Sequence, residues 1–485
     1  MKLNLQERYK YAKQIDFLYD LKNYKKLKMS ILMPYAVMLS PIFVVWVLYL
    51  VYWIFKINDS FVGYLNTFPL WLIFVGLILY CIIDFRNIFI YFYDNKPNPL
   101  KWLKKNTLPY IEVVFLTLMF VWILIASFSN PNPARVFSVT NPQKGYMQEG
   151  VFFYFAYVLI FIFALKLQDR NSQERILIAF LISSVFAGLT TIVDPTGEFL
   201  LATHNNTGWA YGFVNSNHYG YFLTLSCIAS ACISLTHKSN GIRLFSNLTF
   251  LLNVVILMFN DTLGCLLAVL ATLVLLPIVY SIRHRKFNWR YLVPLGIFVA
   301  VSFILTPLGQ YAPRSTYRGL AQQIIGLVKD FFTVASEPLS EEATHAGTDR
   351  WKLWLKSFEV IKENPIFGNG DVYFKPHNEY LQHACNFGIP CLVFYLAALV
   401  IIMIKSIKYL RHLSDITLIL LLSTLCYLIS ALFGNTMPHT LPFFLVFLAF
   451  LIRALNTDIE EYKNSKMKEK INITNIEVHV NPVEE

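Results

Sequence analysis

The chain has 485 residues, of which 56% are hydrophobic and only 15% are charged, against roughly 25% charged in an average soluble domain. Long apolar runs follow one another with short polar gaps, which excludes a string of soluble domains and indicates one integral membrane domain. The net charge of +11 could suggest a nucleic-acid-binding protein, but the positions of the basic residues along the chain exclude that class.

Hydropathy predicts about 12 transmembrane helices. A helix needs roughly 20 apolar residues to cross the hydrocarbon core of a bilayer, and the apolar runs have about this length. The predicted spans lie at 30–55, 61–83, 108–129, 150–168, 176–194, 219–236, 245–260, 263–282, 291–307, 389–405, 416–433 and 441–453. The predicted fold class is an all-α polytopic membrane protein with one large helical extracytoplasmic loop.

The basic residues predict the orientation of these spans. With the N-terminus in the cytoplasm, most of the 41 Lys and Arg residues fall on the cytoplasmic side. The short outer loops then hold only Lys56, Arg135 and Lys144. This asymmetry follows the positive-inside rule, so we expect an even number of spans, with both termini in the cytoplasm.

One long loop, at 308–388, interrupts the otherwise compact series of spans. Loops longer than about 12–15 residues are usually functional or disordered, and the composition of this one is not that of a disordered segment. Apolar residues recur at helical spacing over 350–362, which predicts a helix on the membrane face. The predicted divisions are a basic N-terminal segment at 1–28, a transmembrane domain at 29–453 and a partly disordered cytoplasmic tail at 454–485.

Polar motifs gather in the second half of this loop. They are Asp349-Arg350-Trp351, Trp354, Asn364-Pro365-Ile366-Phe367-Gly368-Asn369-Gly370, His377-Asn378-Glu379-Tyr380-Leu381-Gln382 and Gly388-Ile389-Pro390. A further motif, Gly212-Phe213-Val214-Asn215-Ser216-Asn217-His218, lies upstream. In this order the motifs resemble the outer-loop signature and the Gly-x-x-x-Asn-x-Asn element of the O-antigen ligase and polymerase superfamily, which are bacterial envelope glycosyltransferases. The resemblance covers roughly 110–450.

This resemblance implies an activity and a cellular location. An acceptor hydroxyl would attack a sugar–diphosphate–polyprenol at the outer face of the bacterial cytoplasmic membrane, without a metal ion or other cofactor. The implied partners are a polyprenyl-diphosphate-linked glycan, a glycan, lipid or protein acceptor, and the lipid bilayer. Nucleic acid is not among them.

The family motif assigns the general base to His377 and assigns Arg350 to the diphosphate or to support of the loop. A neutral imidazole suits proton abstraction near neutral pH. Guanidinium groups bind diphosphate oxygens in pairs and stabilise the charge that develops on them. Arg314 and Arg318 stand one helical turn apart, so they share a face and are candidate phosphate ligands by their chemistry alone. The other candidates for substrate binding are Asn378, Asn215, Asn217 and His218.

Several of these residues also have a purely structural interpretation. Arg350 can anchor an interfacial helix, and His377 can cap the next helix together with Asn378. His218 and Asn215 can satisfy backbone groups at a membrane boundary. Many family members carry Ser-Arg-Gly at a tight hairpin near the outer face, whereas the stretch here is Asn260-Asp261-Thr262-Leu263-Gly264, without an arginine.

Two classes of function stay open. The alternative to a glycosyltransferase is a membrane transporter or flippase of lipid-linked oligosaccharide. A transporter would concentrate charges near the bilayer midplane, but Glu112, Asp194 and Asp261 fall near predicted span ends. Transporters also often contain internal repeats, and the two halves of this chain show none. Within the enzyme class, a ligase and a polymerase are both compatible with the sequence.

Overall fold

The computed structural model describes residues 29–43, 110–129, 151–195, 215–311, 319–347, 349–370, 374–435 and 438–480, and also 54, 93, 94, 96, 98, 209, 213 and 317. Within these ranges the chain forms helices and turns, and no strand occurs, so the all-α prediction is confirmed. The predicted segment at 1–28 and the predicted span at 61–83 lie outside the described residues.

The helices are numbered here in chain order. They are α1 (Met29–Phe43), α2 (Ile111–Ser129), α3 (Val151–Leu165), α4 (Arg170–Val193), α5 (Ser216–Thr236), α6 (Asn240–Asn260), α7 (Leu263–His284), α8 (Val293–Leu305), α9 (Leu320–Ser336), α10 (Glu341–Thr344), α11 (Arg350–Glu363), α12 (Glu379–Phe387), α13 (Ile389–Tyr409), α14 (Asp415–Ser430) and α15 (Leu441–Val480). Short 3-10 turns lie at Trp289–Leu292, Thr306–Tyr311, Leu410–His412 and Ala431–Phe433.

The described part of the chain contains nine helical stretches that are long and apolar enough to cross a membrane. They are Ile111–Ser129, Arg170–Val193, Ser216–Thr236, Asn240–Asn260, Leu263–His284, Trp289–Gly309, Ile389–His412, Asp415–Phe433 and Leu441–Met467. Shorter apolar helical stretches lie at Ile31–Ile42 and Phe153–Leu165. The chain is thus a multi-pass membrane protein, while a total of 12 spans stays a prediction.

The last helix is longer than its predicted span. Hydropathy ends the span at residue 453, but α15 continues to Val480 without a break. Hydropathy records where a helix stops being apolar, not where it stops, and the Glu, Lys and Met residues of this segment favour helix. The structure thus has helix over 454–480, where the sequence predicts a partly disordered tail.

Polar side chains also join helices inside the bundle. Ser184 of α4 donates its hydroxyl hydrogen to Asn253 Oδ1 of α6 over 2.7 Å, and Asn253 Nδ2 donates to Ser226 Oγ of α5, also over 2.7 Å. All three side chains are fully buried. Since lipid offers no hydrogen bonds, such contacts between helices help to hold a membrane bundle together.

The bundle has two ends, here called the loop end, which carries α9–α12, and the opposite end. An ion pair with a buried carboxylate ties three helices at the opposite end. Lys405 Nζ of α13 lies 2.6 Å from Glu112 Oε2 of α2, and Asn456 Nδ2 of α15 donates to Glu112 Oε1 over 2.5 Å. Lys405 also donates to Asn456 Oδ1 over 2.8 Å, so each polar group of the trio has a partner.

Replacing Lys405 with methionine should lower the free energy of unfolding by about 3–5 kcal/mol, because the Glu112 carboxylate would stay buried without its cation. Thermal unfolding of the purified protein in detergent would measure the loss. The double variant Glu112→Gln/Lys405→Met removes both charges and should recover much of it. Equal melting temperatures for the native chain and Lys405→Met would contradict a structural role for the pair.

Candidate functional site

The motif glycines of the loop build a turn that closes the C-terminal end of α12. The last carbonyl groups of a helix lack partners within the helix and need others. Here all four are satisfied: Gly388 N–H donates to Ala384 O (2.9 Å), Asn369 N–H to Cys385 O (2.8 Å), Gly370 N–H to Asn386 O (3.2 Å) and Trp122 Nε1–H to Phe387 O (2.9 Å). This turn, here called the clamp turn, therefore holds the end of α12, and its backbone N–H groups bond to protein.

Two glycines make this contact possible. Gly368 and Gly388 have φ angles of +68° and +86°, a region that residues with a side chain rarely adopt. A Cβ on Gly388 would lie 1.9 Å from the carbonyl oxygen of Ile366, and one on Gly368 would lie 2.4 Å from the carbonyl carbon of Asn386. The backbones of the turn and the helix end thus touch directly.

The N-terminal end of α12 is anchored equally firmly. Asn378 caps the helix, its Oδ1 accepting the backbone N–H of Leu381 over 3.0 Å. Glu379 is 1% exposed and accepts the hydroxyls of Tyr395 (3.0 Å) and Tyr427 (3.2 Å), which fasten α12 to α13 and α14. The residue just before the Asn378 cap therefore has a fixed position.

That residue is His377, which has a φ of +52°. Its backbone N–H donates to Asn435 Oδ1 over 2.8 Å, and Asn435 Nδ2 lies 3.5 Å from its Nδ1. Because the amide oxygen of Asn435 already accepts the backbone N–H, the NH₂ group is the part that faces Nδ1. A donor facing Nδ1 favours the tautomer with its proton on Nε2, which leaves the lone pair on Nδ1.

The surroundings of His377 keep its ring neutral. Burial lowers the pKa of His377 to about 4, and the positive charges of Arg350 and Lys375 act in the same direction. The imidazole is therefore uncharged at neutral pH and offers a lone pair beside two cations. This combination of a free base and nearby positive charge is typical of sites that move a proton next to an anion.

Arg350 reaches this site from the first residue of α11. Its guanidinium is within electrostatic reach of Tyr221 and Cys265, on α5 and α7, and burial lowers its pKa from the usual value. Guanidinium groups stay protonated in proteins, so Arg350 keeps its charge. Tyr221 itself packs on Gly434, where an added Cβ would fall 1.0 Å from the tyrosine hydroxyl oxygen.

A pair of stacked histidines lies beside His377. The His218 ring stacks on His439, with ring centres 5.9 Å apart and planes 7° apart, and it is within electrostatic reach of Lys375 and His377. His218 Nδ1 lies 3.1 Å from the carbonyl oxygen of Phe213, so Nδ1 carries the proton. Neither ring nitrogen of His439 has a hydrogen-bond partner among the described residues, and burial lowers the pKa of His439 to about 4.

The structure thus brings some of the predicted site residues together and gives others a backbone role. His377, Arg350 and His218 converge at the loop end. Asn378 caps α12, and Asn215 caps α5 by accepting the backbone N–H of Asn217 over 2.8 Å. Arg314 and Arg318 lie outside the described residues.

Three residues of this cluster were not predicted from the sequence: Lys375, Asn435 and His439. None belongs to a motif quoted above. A signal did exist for the last two, because they lie between the last two predicted spans, on the same side as the long loop. Topology alone therefore places 434–440 on the side of the membrane that carries the loop motifs.

The hairpin between α6 and α7 lies at the same end of the bundle. Asn260 Nδ2 donates to the carbonyl oxygens of Trp209 (3.0 Å) and Ser216 (2.9 Å), which ties the hairpin to the start of α5. Asp261, with φ +56°, accepts a hydrogen bond from Gln323 Nε2 of α9. Asp261, in the stretch that lacks the family's arginine, thus holds a loop helix.

No group of three or more His, Cys, Asp or Glu side chains is arranged to hold a metal ion in the part of the chain that the structure describes. Cys385 and Cys391, which flank the start of α13, are both free thiols.

Comparison with known proteins gives one family match. Residues 248–396 match the model of the O-antigen ligase family. This segment runs from α6 into α13 and includes Arg350 and His377. The match confirms the predicted resemblance to the O-antigen ligase and polymerase superfamily, and it supports a glycosyltransferase-type function in O-antigen processing. No curated protein matches the chain.

Proposed function

We propose that this chain, whose residues 248–396 carry the O-antigen ligase match, is a metal-independent glycosyltransferase of the bacterial cytoplasmic membrane. It would transfer an oligosaccharide or polysaccharide from a polyprenyl diphosphate to an acceptor hydroxyl, with the loop end of the bundle on the extracytoplasmic side. The observation that carries this proposal is the neutral His377 ring, held by Asn435 next to Arg350 and Lys375.

His377 is the proposed general base. Its Nδ1 lone pair would accept the proton of the acceptor hydroxyl as the oxygen bonds to the anomeric carbon of the donor. At 3.5 Å the contact between Asn435 Nδ2 and Nδ1 is long, so a hydroxyl can replace it at little cost. Positioned bases of this kind contribute about 10²–10⁴-fold to a reaction rate.

Arg350 and Lys375 are the proposed partners of the leaving group. The glycosyl–oxygen bond breaks as the new bond forms, and the electron pair leaves with the diphosphate. Fixed cations in a site shielded from water stabilise this developing charge more strongly than the same cations in bulk solvent. Burial lowers the pKa of His377 most, and the two cations lower it further, so one arrangement serves both the base and the leaving group.

A reconstituted assay separates this proposal from the flippase alternative. Purified protein in liposomes would receive fluorescent polyprenyl-diphosphate oligosaccharide, candidate acceptors and a chelator. Transfer to an acceptor, with release of polyprenyl diphosphate, supports the enzyme, and a ladder of products would identify a polymerase. Movement of intact donor between leaflets, with no transfer, would support the flippase instead.

The variant Asn435→Asp should move the acid limb of the pH–rate profile toward neutral pH. A carboxylate can still accept the His377 backbone N–H, but its charge favours the imidazolium and raises the pKa of His377 above its native value of about 4. The native rate should fall only as the pH drops toward about 4, whereas the variant should lose activity at higher pH.

Stability needs a separate check in this measurement. His383 and His439 are also buried and have pKa values of about 4. An unfolded chain would bind protons to them near their ordinary pKa of about 6.5, so stability falls as the pH drops below that value. Each sample should therefore be returned to neutral pH and assayed again. Identical profiles for the native chain and Asn435→Asp would count against His377 as the base.

A further inference from the structure

Helix α9 exposes apolar side chains, whereas a helix on a water-facing surface exposes polar ones. Its 17 residues separate into an apolar arc and a polar arc. From Ile325 onward the apolar arc points away from the protein: Ile325, Phe331 and Phe332 are 68%, 67% and 66% exposed, and Val328 is exposed as well. In a water-soluble protein such an arc would be turned inward.

At its start α9 packs Leu320 and Ile324 against the core, and its side-chain hydrogen bonds to the rest of the protein come from two polar residues. Gln323 Nε2 donates to Asp261 of the α6–α7 hairpin, and Asp330 Oδ2 accepts the backbone N–H of Gly347 over 2.8 Å. From Ile325 onward the large apolar groups thus face outward while Asp330 bonds to protein, which is the arrangement expected where the surroundings are lipid.

The position of α9 agrees with this environment. The chain leaves α8 through the 3-10 turn Thr306–Tyr311, and α9 begins beside it: a Cβ on Gly319 would lie 2.7 Å from Thr306 Oγ1. Exposed apolar side chains at the end of that candidate span, Phe303, Ile304 and Tyr311, continue the surface toward α9. The helix therefore starts at the loop-end boundary of the membrane region.

From these observations we infer that α9 is embedded in the surface of the membrane leaflet at the loop end, with its apolar arc among the lipid acyl chains. The occupant of this surface is the bilayer itself, because the arc continues the lipid-facing side of α8. The Gln323–Asp261 hydrogen bond then ties a lipid-bound helix to the hairpin beside the candidate site. The inference does not depend on the proposed transferase activity.

Spin labels on opposite sides of α9 test the inference. A nitroxide on Phe331→Cys lies on the apolar arc. A nitroxide on Lys329→Cys lies 200° around the helix, on the exposed polar arc. The full chain would be reconstituted in bilayers. The native chain, treated with the same labelling reagent, is the blank, because the six cysteines that the structure describes are all buried. Collision rates with oxygen, which concentrates in lipid, and with a water-soluble nickel complex would be compared.

The label at 331 should collide preferentially with oxygen, and the oxygen-to-nickel ratio should be several-fold higher than for the label at 329. Equal access of nickel to both labels would overturn the inference, because the arc would then face water. Low access of both reagents at 331, with spin–spin broadening, would overturn it in favour of a contact between two copies of the chain. None of these readouts requires glycan transfer, so a failed transfer assay leaves the result interpretable.

Discussion

Replacing His377 with asparagine should slow glycan transfer by about 100-fold or more while the protein stays folded. Asparagine tolerates the left-handed backbone region, so it can keep the φ of +52° and the hydrogen bond from its backbone N–H to Asn435. It cannot take up a proton near neutral pH, and so the variant removes the base with little change to the backbone. Initial rates with saturating donor in liposomes would measure the effect.

A matched control comes from the same loop. His345 is exposed and lies 2.7 Å from the side chain of Asp349, on the solvent side of the loop. His345→Asn should transfer at close to the native rate. If His377→Asn also transfers normally, the ring is only a structural element before α12. If both variants lose activity and also melt early, the loop fold, not the base, is the cause.

The variant Gly388→Ala is expected to have the largest effect on stability. Its free energy of unfolding should fall by more than about 4 kcal/mol, which is exceptional for one substitution. The backbone at φ +86° disfavours any side chain, and the added Cβ would lie 1.9 Å from a carbonyl oxygen of the clamp turn. Neither backbone can give way without breaking the hydrogen bond from Ile389 N–H to Pro365 O, which is 2.8 Å long. Thermal unfolding and gel filtration in detergent would report the loss.

Gly296→Ala is the control for this substitution. Gly296 lies inside α8, and a Cβ there would meet no other atom within 4 Å. Alanine favours helix over glycine by about 0.8–1 kcal/mol, so this variant should be as stable as the native chain or slightly more so. If Gly388→Ala melts together with Gly296→Ala, the clamp turn does not hold α12.

Much of the bundle is predictable from hydropathy. The spans predicted at 263–282, 389–405 and 416–433 agree within a few residues with α7, α13 and α14. A long apolar run has few alternatives to a membrane helix, because lipid cannot satisfy an open backbone. The end of α15 was missed because hydropathy does not report helix length outside lipid.

The candidate site is less predictable because it is made by contacts between distant segments. Arg350 and His377 belong to the loop motif, and His218 belongs to the upstream motif, but no pattern links them to Asn435 or His439. A lone asparagine or histidine in a short connection has no recognisable spacing. Its role becomes visible only when the helices bring 435 and 439 next to 377.

The same contacts set an order for biosynthesis. The backbone of His377 is held by Asn435, and the ring of His218 stacks on His439. Both contacts therefore require residues that are synthesised just before α15. A nascent or truncated chain that stops before residue 434 can insert most of its helices, yet it lacks the contacts that Asn435 and His439 make with the two histidines. Incomplete chains of this kind would therefore occupy the membrane without the proposed site, since its histidine contacts form only after residues 435 and 439 have been made.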